Sequence, residues 1–153
     1  MVKNLVFEKV WCSSRQSTGK SHVIMYLCQE LDRLCREANG DPHTIAIVRA
    51  ASSGVAAFNI SGKTIHSLFR FSPKVKSFEG LSEKSTLQAA FRHVKYILID
   101  EKSMLGVKQL AWISMRLKEI FPHNSTKPFG GCSVILCDDF YQLPPVGAKP
   151  LYA

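Results

Sequence analysis

Apolar and polar positions along the chain fall into two kinds of block. Leu5 to Trp11 is dense in strand-forming residues, and Thr44-Ile45-Ala46-Ile47-Val48, Tyr96 to Asp100 and Ser133 to Cys137 are short apolar runs bounded by turn residues. Such runs, apolar without alternation, suit strands covered on both faces. Between them the apolar residues recur at helical spacing. Val23, Leu27, Leu31, Leu34 and Ala38 form one stripe, with Cys28 and Cys35 on one helix face as core residues. Leu110, Ile113, Leu117 and Ile120 form another, within a helix expected over residues 103–121 and ended by Pro122. Asn39-Gly40-Asp41-Pro42 breaks the first helix. Shorter helices are expected within residues 52–61, over 64–71 and over 82–93, with 72–79 as a basic, aromatic-containing loop. Strands that alternate with helices imply a doubly wound, mostly parallel sheet, with ligands gathered beyond the carboxyl ends of its strands.

Candidate chemistry stands at two of those ends. Thr18-Gly19-Lys20-Ser21 opens a helix, so free backbone N–H groups and the positive helix end can face phosphate oxygens. Lys20 then reaches the β and γ phosphates, and the Ser21 hydroxyl is placed to ligate magnesium. Ser17, Thr18 and Gly19 belong to the same cradle. Gly-Lys-Ser alone is a weak signal, and the full pattern G-x-x-x-x-G-K-[ST] requires a glycine where this chain has Ser14. Downstream, Tyr96-Ile97-Leu98-Ile99 ends in Asp100-Glu101, which suits one acid holding the metal and the next polarising a water. Asp100 is the expected metal anchor and Glu101 the expected general base. The joint occurrence of the two elements points to ATP and Mg2+ more strongly than either does.

The 153 residues suit one domain, which would bury roughly 70% of the surface its unfolded form exposes. No apolar run approaches the roughly 20 residues of a membrane span. The amino terminus does not read as a secretory signal, because Glu8 and Lys9 interrupt Leu5-Val6-Phe7, and the chain is therefore read as intracellular. Twenty lysines and arginines against 12 acids give a net charge of +8, which favours a polyanionic partner such as nucleic acid. Five cysteines without a C-x-x-C argue against a disulfide framework and a zinc site.

Four further segments become recognisable together. Gly54-Val55-Ala56-Ala57-Phe58-Asn59-Ile60 with Gly62-Lys63-Thr64-Ile65-His66-Ser67, then Leu98 to Glu101 with Ser103-Met104, then Pro128 to Gly131, then Asp139 to Val146, resemble the petite-integration-frequency DNA helicases and the helicase domains of Helitron transposons. The motifs stand in family order and span nearly the whole chain. The resemblance implies a P-loop NTPase with a RecA-like parallel sheet flanked by helices, the first of two motor domains in an enzyme that uses ATP and magnesium to move 5′ to 3′ along single-stranded DNA. It implies work in the nucleus, with the mitochondrion as the alternative. In such folds the fourth strand lies between the first and third, which would bring Gln142 between Lys20 and Glu101 as a γ-phosphate sensor; the alternative is a polar loop residue. Ser53 and Gly54 match a segment that touches the DNA backbone, and Thr64 and His66 match residues near the DNA path, a structural role being the alternative for His66. Phe69, Phe71, Lys74, Lys76 and Phe78 would form a base-stacking, phosphate-holding loop, or else a partly buried surface loop.

The chain also departs from that pattern. Ser14 and Ser17 replace glycines, Lys102 follows the acidic pair where its ammonium would meet Glu101, and Asp138 replaces a glycine. An adenine-reading segment and the second motor domain are expected to be absent. This predicts that the chain alone does not unwind DNA without the second motor domain or a partner, and that Leu5 to Trp11 is an exposed edge that brings poor solubility or dependence on a partner. A degenerate, non-catalytic module for nucleotide or single-stranded DNA is the competing expectation.

Overall fold

The computed structural model describes residues 19–72, 77–137, 149 and 151. The expected strand over Leu5 to Trp11, together with Ser14, Ser17, Thr18, Lys74, Lys76, Asp138 and Gln142, lies outside them.

Four strands form one parallel sheet. They are β1 (Ile47–Ala51), β2 (Lys63–Thr64), β3 (Tyr96–Asp100) and β4 (Ser133–Leu136), in the order β2-β1-β3-β4. Register pairs Ile47 with Tyr96 and Ala51 with Asp100 across β1 and β3, and Ile97 with Val134 across β3 and β4. Because the strands are parallel, Ala51, Asp100 and Leu136 finish at one edge of the sheet.

Alternation along the central strand divides the core in two. Ile97 and Ile99 pack, with Val134, Phe69, Phe91, Ile113 and Leu117, against one face, covered by α3 (Ile65–Phe69), α4 (Ser85–Ala90) and α5 (Val107–Ile120). Leu98 and Ile135 point the other way, toward α1 (Lys20–Asn39) and α2 (Gly54–Asn59). Ile97, Leu98 and Ile99 are fully buried, each contributing roughly 1.5–3 kcal/mol. This is the doubly wound arrangement that the sequence pattern implies.

Several boundaries differ from the expectation. The stripe of α1 is rotated: Ile24 and Cys28 are buried with Leu27 and Leu31 beside them, while Val23 and Leu34 are about half exposed and Ala38 is exposed. Cys35 is only partly covered. Asp32 lies beside that buried face, its Oδ1 accepting the N–H groups of Ala46 and Ile47 at 3.0 and 3.3 Å and so tying α1 to the start of β1. Thr64, expected within a helix, ends β2 and caps α3, its Oγ1 accepting the Ser67 N–H at 3.3 Å. The helix expected over 82–93 is confined to Ser85–Ala90, and β4 stops before Cys137.

The helix expected over 103–121 is split into a 3₁₀ turn, Lys102–Met104, and α5. Leu105 is extended and fully buried, and Gln109 Oε1 accepts the Gly106 N–H at 3.2 Å to start the new helix. Burial of Leu105 outweighs continuous helix propensity. Near the far end of α5, Gly130 has φ +61°, and a Cβ there would stand 2.5 Å from the Leu117 carbonyl oxygen. Only glycine lets the Pro128–Gly131 turn pack so closely on α5.

Candidate nucleotide-binding site

The chemistry-bearing residues of the sheet edge come from three loops. Gly19 stands at the head of α1 with φ +67°, the left-handed conformation glycine adopts without strain. Among the described residues no side chain caps that helix, and its first turn holds no acid, so its leading N–H groups carry the positive end of the dipole of a 20-residue helix. Lys20 and Ser21 follow at once.

Lys20 Nζ lies 2.9 Å from Asp100 Oδ1, with the lysine side chain 20% and the aspartate 4% exposed. Burial works against the lysine's charged form, but the hydrogen bond and charge of Asp100, with smaller contributions from Cys137 and Glu101, outweigh it and raise its pKa above the ordinary 10.5. Residues 80 positions apart thus meet because α1 packs on the face of the sheet beneath the end of β3.

Glu101, the next residue, is in the left-handed region at φ 57° and ψ 48°. Such a conformation costs a non-glycine residue roughly 1–3 kcal/mol and persists only where its surroundings over-determine it. Here they do. Its N–H donates to Asp100 Oδ1 at 2.9 Å, and its carbonyl accepts Ser52 Oγ at 3.1 Å and the Met104 N–H at 3.1 Å. Its carboxylate Oε2 accepts Ser53 Oγ–H at 2.8 Å. Ser53 is also the N-cap of α2, its Oγ accepting the Ala56 N–H at 3.2 Å. The β1–β3 register makes these contacts unavoidable: with Ala51 opposite Asp100, Ser52 and Ser53 leave β1 beside Glu101. Gly54 is exposed, with nothing within 4 Å of where a Cβ would be.

The structure therefore gathers Lys20, Asp100, Glu101 and Ser53, with Ser21 in the adjoining helical turn. It does not bring Thr64 or His66 into contact with them; Thr64 caps α3, and His66 is a half-buried residue of that helix. Lys102 opens a 3₁₀ turn, and its backbone N–H donates to the Cys137 carbonyl at 3.1 Å.

For Phe69, Phe71 and Phe78 the alternative reading, a partly buried loop, is the one the structure shows; Lys74 and Lys76 lie outside the described residues. Phe69 is fully buried and packs on Phe71 and Phe91 at 5.9 and 6.1 Å between ring centroids. Phe71 meets Trp112 edge-on at 6.0 Å. Phe71 and Phe78 each stand over the guanidinium of Arg116, at 5.3 and 5.0 Å. Arg116 is 3% exposed, donates to the carbonyls of Phe69 and Glu79, and pairs with Glu119. These aromatic rings wrap an internal cation and so are not presented for stacking on bases. Sequence reasoning missed Arg116 and the Ser52–Ser53 clamp. For Arg116 the only available signal was its place on the apolar stripe of α5, between Ile113 and Leu117.

Comparisons with known proteins point to one family. The family profile described as PIF1-like helicase matches residues 8–151. An ATP-dependent DNA helicase Pif1 of Psychrobacter is 38% identical over 109 residues, covering 69% of this chain and 16% of the helicase. The ATP-dependent DNA helicase RRM3 of Saccharomyces cerevisiae is 33% identical over 97% of this chain and 20% of its own length. Among solved structures, the Bacteroides Pif1 helicase in complex with ADP-AlF3 and single-stranded DNA superposes with a TM-score of 0.67 at 29% identity, over 90% of this chain and 29% of that one. The chain thus spans a fifth or less of these two relatives. The fold is the RecA-like P-loop fold of these structures, and by the extent of the match this chain belongs to the PIF1-like helicase family.

Proposed function

We propose that the chain is the nucleotide-binding motor domain of an ATP-dependent DNA helicase, coupling magnesium-dependent ATP hydrolysis to 5′ to 3′ movement on single-stranded DNA. The observation that carries this reading is the Lys20–Asp100 pair at the carboxyl edge of the sheet. Each of its two charges has a matching partner in a magnesium triphosphate. The donor set fits: one hydroxyl (Ser21) and one carboxylate (Asp100) are hard oxygen ligands, and magnesium bound through one or two of these plus phosphate oxygens needs no all-protein cage. Held by Ser21 and Asp100, the ion would neutralise negative charge that develops on the phosphates.

On nucleotide binding, Lys20 would exchange the Asp100 carboxylate for phosphate oxygens, leaving Asp100 to hold the ion with Ser21. Gly19, with Ser17 and Thr18 before it, supplies backbone N–H groups to the phosphates. Glu101 orients the attacking water and takes its proton. Gln142 is proposed as the γ-phosphate sensor, and Ser53, Gly54, Thr64 and His66 as the DNA-facing set, supported by the exposure of Gly54 and by the chain's +8 charge. Unwinding further requires a second motor domain to close on this one. DNA in the nucleus, or else the mitochondrion, is the proposed place of action; among the described residues no helix is long and apolar enough to cross a membrane.

The test is the ATPase rate with and without single-stranded DNA for the wild-type chain, Lys20→Ala and Glu101→Gln. DNA-stimulated turnover lost in both variants supports the enzyme. Nucleotide or DNA binding without turnover would instead favour the non-catalytic module.

A further inference from the structure

We propose that Ser53 is a positioning residue for Glu101, and that single-stranded DNA regulates hydrolysis by competing for its one hydroxyl proton. The inference rests on the reading of Glu101 as general base. A serine hydroxyl has one donor hydrogen and two acceptor lone pairs. In this structure an acceptor side takes the Ala56 N–H, which caps α2, and the single hydrogen goes to Glu101 Oε2 at 2.8 Å. A DNA phosphate brings only acceptors. It can gain a hydrogen bond from Ser53 only by taking the hydrogen that Glu101 now holds.

Two features make this exchange consequential. The bond occupies Glu101 Oε2 and holds the carboxylate turned toward Ser53, so a clamped Glu101 is less free to align with an attacking water than a released one. The clamp is also built from the turn that is open to a ligand: Ser53 is half-buried, Gly54 and Val55 beyond it are exposed, and a Cβ on Gly54 would meet no atom. Ser52 meanwhile holds the Glu101 carbonyl at 3.1 Å, so releasing the carboxylate leaves the left-handed backbone of Glu101 anchored. The base is thus restrained at the side chain by one residue and at the main chain by its neighbour. Both restraints are serine hydroxyls, but only that of Ser53 holds the carboxylate.

The test compares the wild-type chain with Ser53→Gly and Ser53→Thr, measuring ATPase rates with and without oligo-dT. Glycine removes the donor and costs little at an N-cap, and threonine keeps both the donor and the cap. For Ser53→Gly the expected result is a DNA-independent rate raised about tenfold, the scale of a lost charge-assisted hydrogen bond, with the ratio of stimulated to basal rate falling toward one. Ser53→Thr should keep the wild-type ratio. A Ser53→Gly chain with the wild-type basal rate and ratio, or one that loses both rates, overturns the proposal. If the wild-type chain has no turnover above Lys20→Ala, the enzyme reading itself fails. The positioning role is then read from the Glu101 side-chain carboxyl 13C resonance on adding oligo-dT: movement in the wild type but not in Ser53→Gly upholds it, and an unmoved wild-type signal sinks it.

Discussion

Replacing Asp100 by asparagine isolates the charge that holds Lys20. The side chain keeps its shape, and its Oδ1 can still accept the Glu101 N–H. What is lost is one carboxylate 2.9 Å from an ammonium, a gross attraction of about 6 kcal/mol at an effective dielectric of about 20. Desolvation of the nearly buried Asp100 offsets much of that in the wild type, so the net loss is set by the lysine left behind. Breaking a fully buried pair costs about 3–5 kcal/mol; Lys20 keeps 20% exposure and can turn toward water, which reduces the expected loss to about 2 kcal/mol. In a domain of this size that is a fall in Tm of about 4–8 °C. The pH dependence has a definite sign. Folding raises the pKa of Lys20, so its contribution is fully present below about 10.5 and is lost as pH rises through the folded value. The gap in Tm between wild type and Asp100→Asn should hold through neutral and mildly alkaline pH and narrow above about 10.5. Fluorescent ATP-analogue titrations read the functional half. Without magnesium the variant should bind at least as tightly as wild type, since Lys20 no longer has to leave a carboxylate, while the gain in affinity on adding magnesium should shrink about tenfold or more. A variant with wild-type Tm and wild-type magnesium dependence would refute both the energetic role of the pair and the assignment of Asp100 as metal anchor.

Arg116→Met should destabilise the chain by about 2–4 kcal/mol in urea unfolding, because the carbonyls of Phe69 and Glu79 and the Glu119 carboxylate lose their donor; an unchanged midpoint would show that the cation is dispensable between its two rings. Gly130→Ala should cost about 1–3 kcal/mol by the same measurement, from positive φ and the clash with the Leu117 carbonyl, and a neutral result would contradict the close packing of that turn on α5. Burial pushes the thiols of Cys28 and Cys132 up to about 11, leaving a thiolate fraction on the order of 10⁻³ or less at pH 7.5. Iodoacetamide followed by peptide mass spectrometry should therefore find Cys28 unmodified and the partly covered Cys132 slow to react in the native chain, and both modified after denaturation; rapid native labelling of Cys28 would mean that it is not buried.

Where apolar runs lie, how long they are and what ends them are local properties, and these were legible in the chain. Tyr96 to Asp100 forms a strand over the residues its pattern indicates, the sheet is parallel as the alternation of element types requires, and Gly19-Lys20 stands at a helix start. The pairing of Lys20 with Asp100 follows once both are assigned to strand-end positions, because a parallel sheet collects such positions at one edge. The course of α1 was less legible. Its apolar residues cover more than one face, and packing on the sheet selects Ile24 over Val23 as the buried position.

Contacts that depend on register belong to the tertiary structure alone. Phe69, Phe71 and Phe78 read as an aromatic-basic loop until Arg116 arrives between Phe71 and Phe78 from another helix. Ser53 and Glu101 are 48 positions apart, and nothing local to either names the other. Their hydrogen bond exists because Ala51 pairs with Asp100, and a shift of one residue in that pairing would turn every buried side chain of β1 to the wrong face. The sequence alone therefore determined the class of fold, the order of its elements and the residue types at the strand ends, since each is encoded by periodicity within a few residues. Which hydroxyl restrains which carboxylate was decided by the packing of both faces of the sheet at once, because only that cooperative packing selects a single register.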